Sequence, residues 1–290
     1  MAALLASIPS PHGGTVTIGP LTMHMYGLML LLGIAACVWL TGVRWVRWGG
    51  DWDLVFRVAV WGVAFGIVGA RLYHVVTSWE EVPDPKWKGI FEIWQGGLGV
   101  WGGIALGTLV GCVVVRRSGN SVRLFADAVA PGLLLAQAIG RWGNWWNQEL
   151  FGKPTDLPWA LEIGGKGPGH LYHPTFLYEF LWNVVGVAVL LWVDRRFRIR
   201  RPGLFALYVS WYCAFRMVEE TLRIDPSHHF AGMRLNFWVA LVCFVVATTF
   251  FVWWQFVRKP DEPARERPRA RPIPAGPAMS VPKGRVRPGR

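Results

Sequence analysis

Residues 21–43, LTMHMYGLMLLLGIAACVWLTGV, contain no Asp, Glu, Lys or Arg, and Arg44 is the first charged residue of the chain apart from His. The hydrocarbon core of a bilayer asks for about 20 predominantly apolar residues per helix, so this stretch is long enough to span. Residues 235–257, LNFWVALVCFVVATTFFVWWQFV, repeat the pattern near the other end of the chain. Working outward from these two, five more apolar segments emerge at 54–77, 98–115, 124–140, 174–193 and 203–222. The fold class we expect is therefore an all-α integral membrane protein of about seven transmembrane helices. The segments at 21–41, 98–115 and 235–257 are free of charge. The other four carry Arg57 and Arg71, Asp127, Glu179, and Arg216, Glu219 and Glu220.

The connections set the topology. Basic residues crowd the loops after the first, third and fifth segments: Arg44 and Arg47; Arg116, Arg117 and Arg123; Arg195, Arg196, Arg198, Arg200 and Arg201. The alternate loops hold fewer, offset by Glu80, Glu81, Asp84, Asp156 and Glu162. Cytoplasmic loops are enriched in Lys and Arg, so the N-terminus is expected outside and the C-terminus inside, which agrees with an odd number of spans. Residues 1–20 hold no Lys or Arg, so the positive region of a signal peptide is missing. We read residues 1–258 as one seven-helix domain, with 142–173 forming a small extracytoplasmic cap. Residues 259–290 are rich in Pro, Arg and Gly and are expected to be a disordered cytoplasmic tail, drawn electrostatically to anionic membrane lipids. The tail has no aromatic residue to stack on bases, which argues against nucleic acid as a partner.

Composition excludes several chemistries. The net charge is +12 and 53% of the residues are hydrophobic. The four cysteines, Cys37, Cys112, Cys213 and Cys243, lie in apolar runs without C-x-x-C spacing. We read them as small buried side chains, so a thiol nucleophile would have to come from a substrate. No G-x-S-x-G elbow, H-E-x-x-H pair or phosphate loop is present, and we expect no metal or cofactor. Many of the 19 tryptophans, among them Trp45, Trp48, Trp79, Trp94, Trp253 and Trp254, fall near predicted helix ends. An aromatic belt would place them there, as would ordinary core packing.

Charged residues inside a span are costly and point to function. Tyr212, Arg216 and Glu220 recur every four residues and Arg223 follows three later, so all four lie near one helix face. The plainer reading of that face is an Arg216–Glu220 ion pair. The run Gly140–Gly152, GRWGNWWNQELFG, combines a cation, amides, a carboxylate and glycines. Arginine presents a planar fork suited to phosphate oxygens, although a polar helix end is the simpler alternative. The glycines from Gly96 to Gly103 either turn amide N–H groups toward an anion or serve close helix packing. His24 and Tyr26 open the first span; His173, Tyr178 and Glu179 open the fifth on the same side.

GRWGNWWNQELFG closely resembles the signature of the prolipoprotein diacylglyceryl transferases. So do HMYGLM (residues 24–29), GGLGVWGG (96–103), HPTFLYE (173–179) and YCAFRMVEETLR (212–223), in the family's order and over most of residues 20–257. The resemblance implies phosphatidylglycerol as donor and the lipobox cysteine of a preprolipoprotein signal peptide as acceptor. It implies a thioether product and glycerol phosphate as leaving group, at the bacterial cell membrane. By position, Arg141 and Arg216 match the family's two key arginines. Tyr26, Asn144, Glu149, Gly152 and Tyr212 match other functional positions. Glu220 and Arg223 match the charged pair after the second arginine, and Gly102 and Gly103 the glycine pair. One departure stands out: where many members carry a His before that pair, this chain has Trp101, whose indole offers no basic site.

The resemblance and the residue types together suggest electrostatic catalysis. Arg141 and Arg216 hold the lipid phosphate and favour the thiolate, while Tyr26, Tyr212 and Asn144 orient the substrates. Glu149, Glu220 or a water chain takes the proton. The rival reading is a transporter for an anionic solute, which would also set arginines and glycine-rich half-helices inside a bundle; no internal repeat supports it.

Overall fold

The computed structural model describes residues 7–11, 13–19, 21–164 and 170–258. The tail at 259–290 lies outside them. Seven long helices dominate: α1 (Met25–Arg47), α2 (Trp52–Thr77), α4 (Val100–Arg117), α5 (Val122–Asn147), α6 (Thr175–Arg196), α7 (Gly203–Leu222) and α8 (Leu235–Val252), the last continued by a π-helical turn at Trp253–Val257. A single turn, α3 (Lys86–Gly89), lies between α2 and α4. Six helices, all but α7, are long and apolar enough to cross a membrane. At about 1.5 Å per residue, α7 is also about 30 Å long. Its charges, Arg216, Glu219 and Glu220, all fall in its last two turns.

Short strands build a cap at one end of the bundle. β1 (Ile8–Pro9) runs parallel to β4 (Leu161–Glu162), which pairs antiparallel with β5 (Leu171–Tyr172). β2 (Thr15–Ile18) and β3 (Leu21–His24) form a hairpin leading into α1, and β6 (His229–Phe230) and β7 (Met233–Arg234) form another between α7 and α8. Leu161, Ile163, Tyr172 and Phe176 make the core of the cap, with Trp142 and Trp145 packed against it.

Glycines decide how closely the helices approach. A Cβ on Gly132 of α5 would stand 2.9 Å from the Cys37 carbonyl of α1, and one on Gly33 of α1 would stand 3.0 Å from the Ala136 carbonyl of α5. A Cβ on Gly107 of α4 would stand 2.9 Å from the Gly62 carbonyl of α2. Between α6 and α7, Trp182 and Trp211 stack at 4.5 Å, and each indole N–H donates to the other's backbone carbonyl at 3.0 and 3.1 Å.

The end away from the cap is locked by a buried polar knot. Arg44 of α1 reaches Asp194 of α6 at 3.2 Å, and Arg201 reaches Asp194 at 3.0 Å and Asp127 of α5 at 3.1 Å. The Phe205 N–H of α7 donates to Asp127 Oδ1 at 2.8 Å, and Arg44 also donates to the Asp127 and Ala128 carbonyls at 3.0 Å. Both guanidinium groups also lie over the Trp48 ring, Arg44 at 4.9 Å and Arg201 at 4.2 Å from its centroid.

Of the tryptophans open to either a belt or a core reading, Trp45 is fully buried against Phe125 with Leu54, Val55 and Val115, whereas Trp79, Trp94 and Trp253 are exposed. One sequence expectation needs correction. The fourth segment does not stop at residue 140. The helix runs on to Asn147 and closes at Gln148 in the left-handed conformation, φ 51°, so the cap begins later than residue 142. Gly140 and Gly143 do not break it, because Gly143 takes the ring of Tyr26 against its bare Cα: a Cβ there would stand 2.7 Å from Tyr26 Cδ2.

Candidate functional site

The helix extension puts Arg141 and Asn144 on α5, inside the bundle, where α6 and α7 supply their partners. On α7, Arg216 reaches Glu219 at 2.7 Å three residues on and Glu220 at 2.5 Å four residues on. The ion pair read from spacing is thus present, but it is not the whole arrangement. Arg141 Nη2 lies 2.5 Å from Glu179 Oε2, and Arg216 Nη1 lies 3.9 Å from the same oxygen. One carboxylate oxygen on α6 therefore draws together guanidinium groups from α5 and α7. Burial is uneven. The arginine side chains keep 15% and 16% of their surface open, whereas Glu179 and Glu219 keep 2% and 1%. The arginine side chains are thus less buried than the carboxylates they pair with. Tyr212 stands within electrostatic reach of Arg141, Arg216, Glu179 and Glu219.

A chain of hydrogen bonds leads from Arg141 toward the cap. Arg141 Nη1 donates to Asn144 Oδ1 at 3.2 Å, and Asn144 Nδ2 donates to Glu149 Oε1 at 2.8 Å. Asn147 Nδ2 donates to the same Glu149 oxygen at 3.4 Å. An amide is the fitting residue between the two, since it accepts from a cation through one end and donates to a carboxylate through the other.

Gly152 ties the cap to the end of α7. Its N–H donates to the His173 carbonyl at 3.0 Å, it bridges Arg223, and the Lys153 N–H donates to the Leu222 carbonyl at 2.8 Å. A Cβ on Gly152 would stand 2.8 Å from His173 Cβ and 3.2 Å from the Leu222 carbonyl. Arg223 then grips Asp225 with two nitrogens, at 2.7 and 2.8 Å, and approaches Glu220 at 3.6 Å. Arg234 of β7 completes the array, reaching Glu220 Oε2 at 2.6 Å and Asp225 Oδ2 at 2.8 Å. Partial burial pushes the Asp225 carboxyl up, but hydrogen bonds and charge from Arg223 and Arg234 outweigh it and hold the group below the ordinary aspartate value.

Arg141, Arg216, Tyr212, Asn144, Glu149, Glu220 and Arg223 thus form one connected array, with Gly152 bracing it and Tyr26 seated on Gly143. Gly102 and Gly103 lie elsewhere, at the seam where α4 meets Gly69 and Gly66 of α2. The glycine-rich opening of α4 turns carbonyls, not N–H groups, to its partner: Arg71 donates to Ile90 at 3.0 Å, to Gly96 at 2.7 Å, to Gly97 at 3.0 Å and to Gly89. Gly96 and Gly97 reach this arrangement at φ 89° and 67°, where a side chain would be strained. This corrects the anion-cradle reading of the glycine run. Trp101 is half exposed, and His173 and Tyr178 bond to each other at 3.2 Å rather than to the arginines.

Glu219, Asp225 and Arg234 join the array although sequence reasoning gave them no site role, and Glu179, read as a polar residue opening the fifth span on the side of Arg141, proves to be at its centre. Glu179 carried a signal, since a lone carboxylate in an apolar segment must find a cation. Arg234 had none, because only the β6–β7 hairpin turns it back onto α7.

A family model described as prolipoprotein diacylglyceryl transferase matches residues 14–253. The phosphatidylglycerol–prolipoprotein diacylglyceryl transferase of Streptomyces griseus is 50% identical over 254 residues, covering 86% of this chain and 78% of its own length. The protein of the same name from Bifidobacterium adolescentis is 42% identical over 285 residues, covering 91% and 85%. The one from Frankia alni is 48% identical over 274 residues, covering 90% and 70%.

Proposed function

The chain belongs to the prolipoprotein diacylglyceryl transferase family, and from that premise we propose that it moves the diacylglyceryl group of phosphatidylglycerol onto the lipobox cysteine of a preprolipoprotein. The thiolate sulfur attacks the glyceryl carbon, a thioether forms, and glycerol phosphate leaves with the electrons of the broken C–O bond. The observation that carries the reading is the meeting of Arg141 and Arg216 on one Glu179 oxygen. Two guanidinium groups from different helices, each partly open while their carboxylates are sealed, form a fork for a phosphodiester.

The roles follow from the contacts. Arg141 and Arg216 bind the phosphate and stabilise the charge that gathers on it as the C–O bond breaks. Asn144 fixes the orientation of Arg141 and is itself held by Glu149. Tyr212, beside the two arginines, and Tyr26, packed on Gly143 of the same helix as Arg141, orient the donor and the thiol. Glu220 and Arg223 hold Arg216 in place, and Gly152 keeps the cap seated on them. Gly102 and Gly103 serve the site from a distance by letting α4 lie close to α2. In the membrane, α7 is the sixth of seven spans, its charged last turns facing the interior of the bundle. The basic ends of α1, α4 and α6 support an N-terminus outside and a C-terminus in the cytoplasm, which sets the cap and the arginines at the outer leaflet.

The test uses the purified protein, phosphatidylglycerol and a lipobox peptide, with thioether formation followed by mass spectrometry. Arg141→Ala and Arg216→Ala should each lose most of the activity, and near-normal rates in both would refute the assignment. Trp101→His should bring no large gain, because the native chain works without a base at that position.

A further inference from the structure

The array contains more carboxylate than its arginines satisfy. Glu220 has an arginine at each oxygen, Arg216 in ion contact at 2.5 Å from Oε1 and Arg234 hydrogen-bonded at 2.6 Å to Oε2, although Oε1, like Glu179 Oε2, has the ion contact without a hydrogen bond. Glu149 accepts from Asn144 and Asn147. Glu179 and Glu219 differ. Glu219 gives Oε2 to Arg216 at 2.7 Å, while its Oε1 meets no hydrogen-bond donor among the described residues. Glu179 Oε2 has its close ion contact with Arg141, and its Oε1 meets no donor among the described residues. The two carboxyls converge on one nitrogen: Arg216 Nη1 lies 2.7 Å from Glu219 Oε2 and 3.9 Å from Glu179 Oε2. Two adjacent carboxylates sealed from water are compatible with one shared proton and resist two full charges.

We propose that Glu179 and Glu219 act as a pair to accept the proton of the substrate thiol, and that the lipid phosphate arms them. This rests on the transferase reading above. Before substrate binds, Arg141 and Arg216 spend their charge on the pair. A phosphodiester entering the fork competes for the same guanidinium groups. The carboxylates then lose compensation and gain affinity for a proton, while the arginines still favour the thiolate. The S–H bond breaks with its proton passing to the pair and its electrons staying on sulfur. The S–C bond forms as the C–O bond breaks, and glycerol phosphate carries away that electron pair. When the product leaves, the arginines return to the carboxylates, which release the proton to the departing phosphate or to water. The groups acting on the pair are Arg141 from α5, Tyr212 and Arg216 from α7, and Arg223 just after α7, with Glu220 sharing Arg216. Among the described residues, none of these is a free base that competes for the role.

Glu179→Gln is the deciding variant, since its amide oxygen still accepts from Arg141 but cannot take a proton. Wild-type kcat/KM should change little above neutral pH. The variant should be about 10²-fold slower near pH 7 and recover about tenfold per pH unit toward the thiol pKa of about 8.5, because the thiol must then ionise unaided. Phosphatidylglycerol binding, measured separately, should persist. A rate equal to wild type, a parallel pH profile, or inactivity at every pH with lipid still bound would overturn the proposal. Should Glu179→Gln fail to fold, Glu219→Gln carries the test with the same readings. If the wild-type protein itself forms no thioether, the transferase reading falls rather than the assignment of the pair alone.

Discussion

Two buried charge networks sit at opposite ends of the same bundle. At the end away from the cap, two arginines and two aspartates exhaust one another: Asp127 is filled by Arg201 and the Phe205 N–H, Asp194 by Arg44 and Arg201, and Trp48 fills the space between the cations. Under the cap, arginines and carboxylates also mix, but among the described residues Oε1 of Glu179 and of Glu219 meets no donor, and the Arg141 and Arg216 side chains are less buried than the carboxylates they pair with. The ingredients are the same. A closed knot joins four helices and asks for nothing more, whereas an incomplete one has capacity for a ligand anion and for a proton. Unmet hydrogen-bonding capacity distinguishes a site from a clasp better than charge does.

The contrast breaks most sharply under the cap. Arg141→Ala and Arg216→Ala should lower kcat by about 10²- to 10³-fold, or about 2.7–4 kcal/mol of transition-state stabilisation. A change at the clasp should do the reverse. Asp127→Ala takes one of two carboxylate partners from Arg201, which keeps Asp194, and leaves the Phe205 N–H without its acceptor, a loss of about 1–3 kcal/mol. Unfolding in detergent should show that loss, while activity per folded molecule stays near wild type; a selective loss of turnover would make the clasp part of the site. Gly152→Val tests the brace between cap and α7. Its side chain would press on His173 and Leu222, at a cost of about 1–3 kcal/mol, and KM should rise along with it. The smallest effect is at Asp225. Its folded-state pKa is depressed, so its contribution is fully present above its unfolded value of about 4 and is lost as the pH falls through the folded one. The difference in melting midpoint between the wild-type protein and Asp225→Asn should be under about 3 °C and should vanish in acid.

Much of this was legible beforehand. Six helices could be read from apolar length, and α7 had its bounds at Gly203–Leu222 because helix spacing tolerates charge on one face. Arg141 and Arg216 stood out as cations in or beside apolar runs. The misreadings share a cause. Gly140 and Gly143 looked like a helix end, since a glycine's local preference says nothing of the Tyr26 ring packed against it. Gly96 and Gly97 looked like an anion cradle, since the sequence does not show which way a peptide faces, and Arg71 takes their carbonyls.

By itself the sequence determined the membrane class, the helices and the residue types capable of holding a phosphate, because hydrophobic length and helical period are local properties of a chain. Only tertiary structure decided that Glu179 lies between Arg141 and Arg216, that Arg234 returns to Glu220, and that Asp127 is spent on Arg201. Those facts depend on which helix faces which and at what depth. Contacts between residues tens of positions apart are set by packing, and no window of sequence contains them.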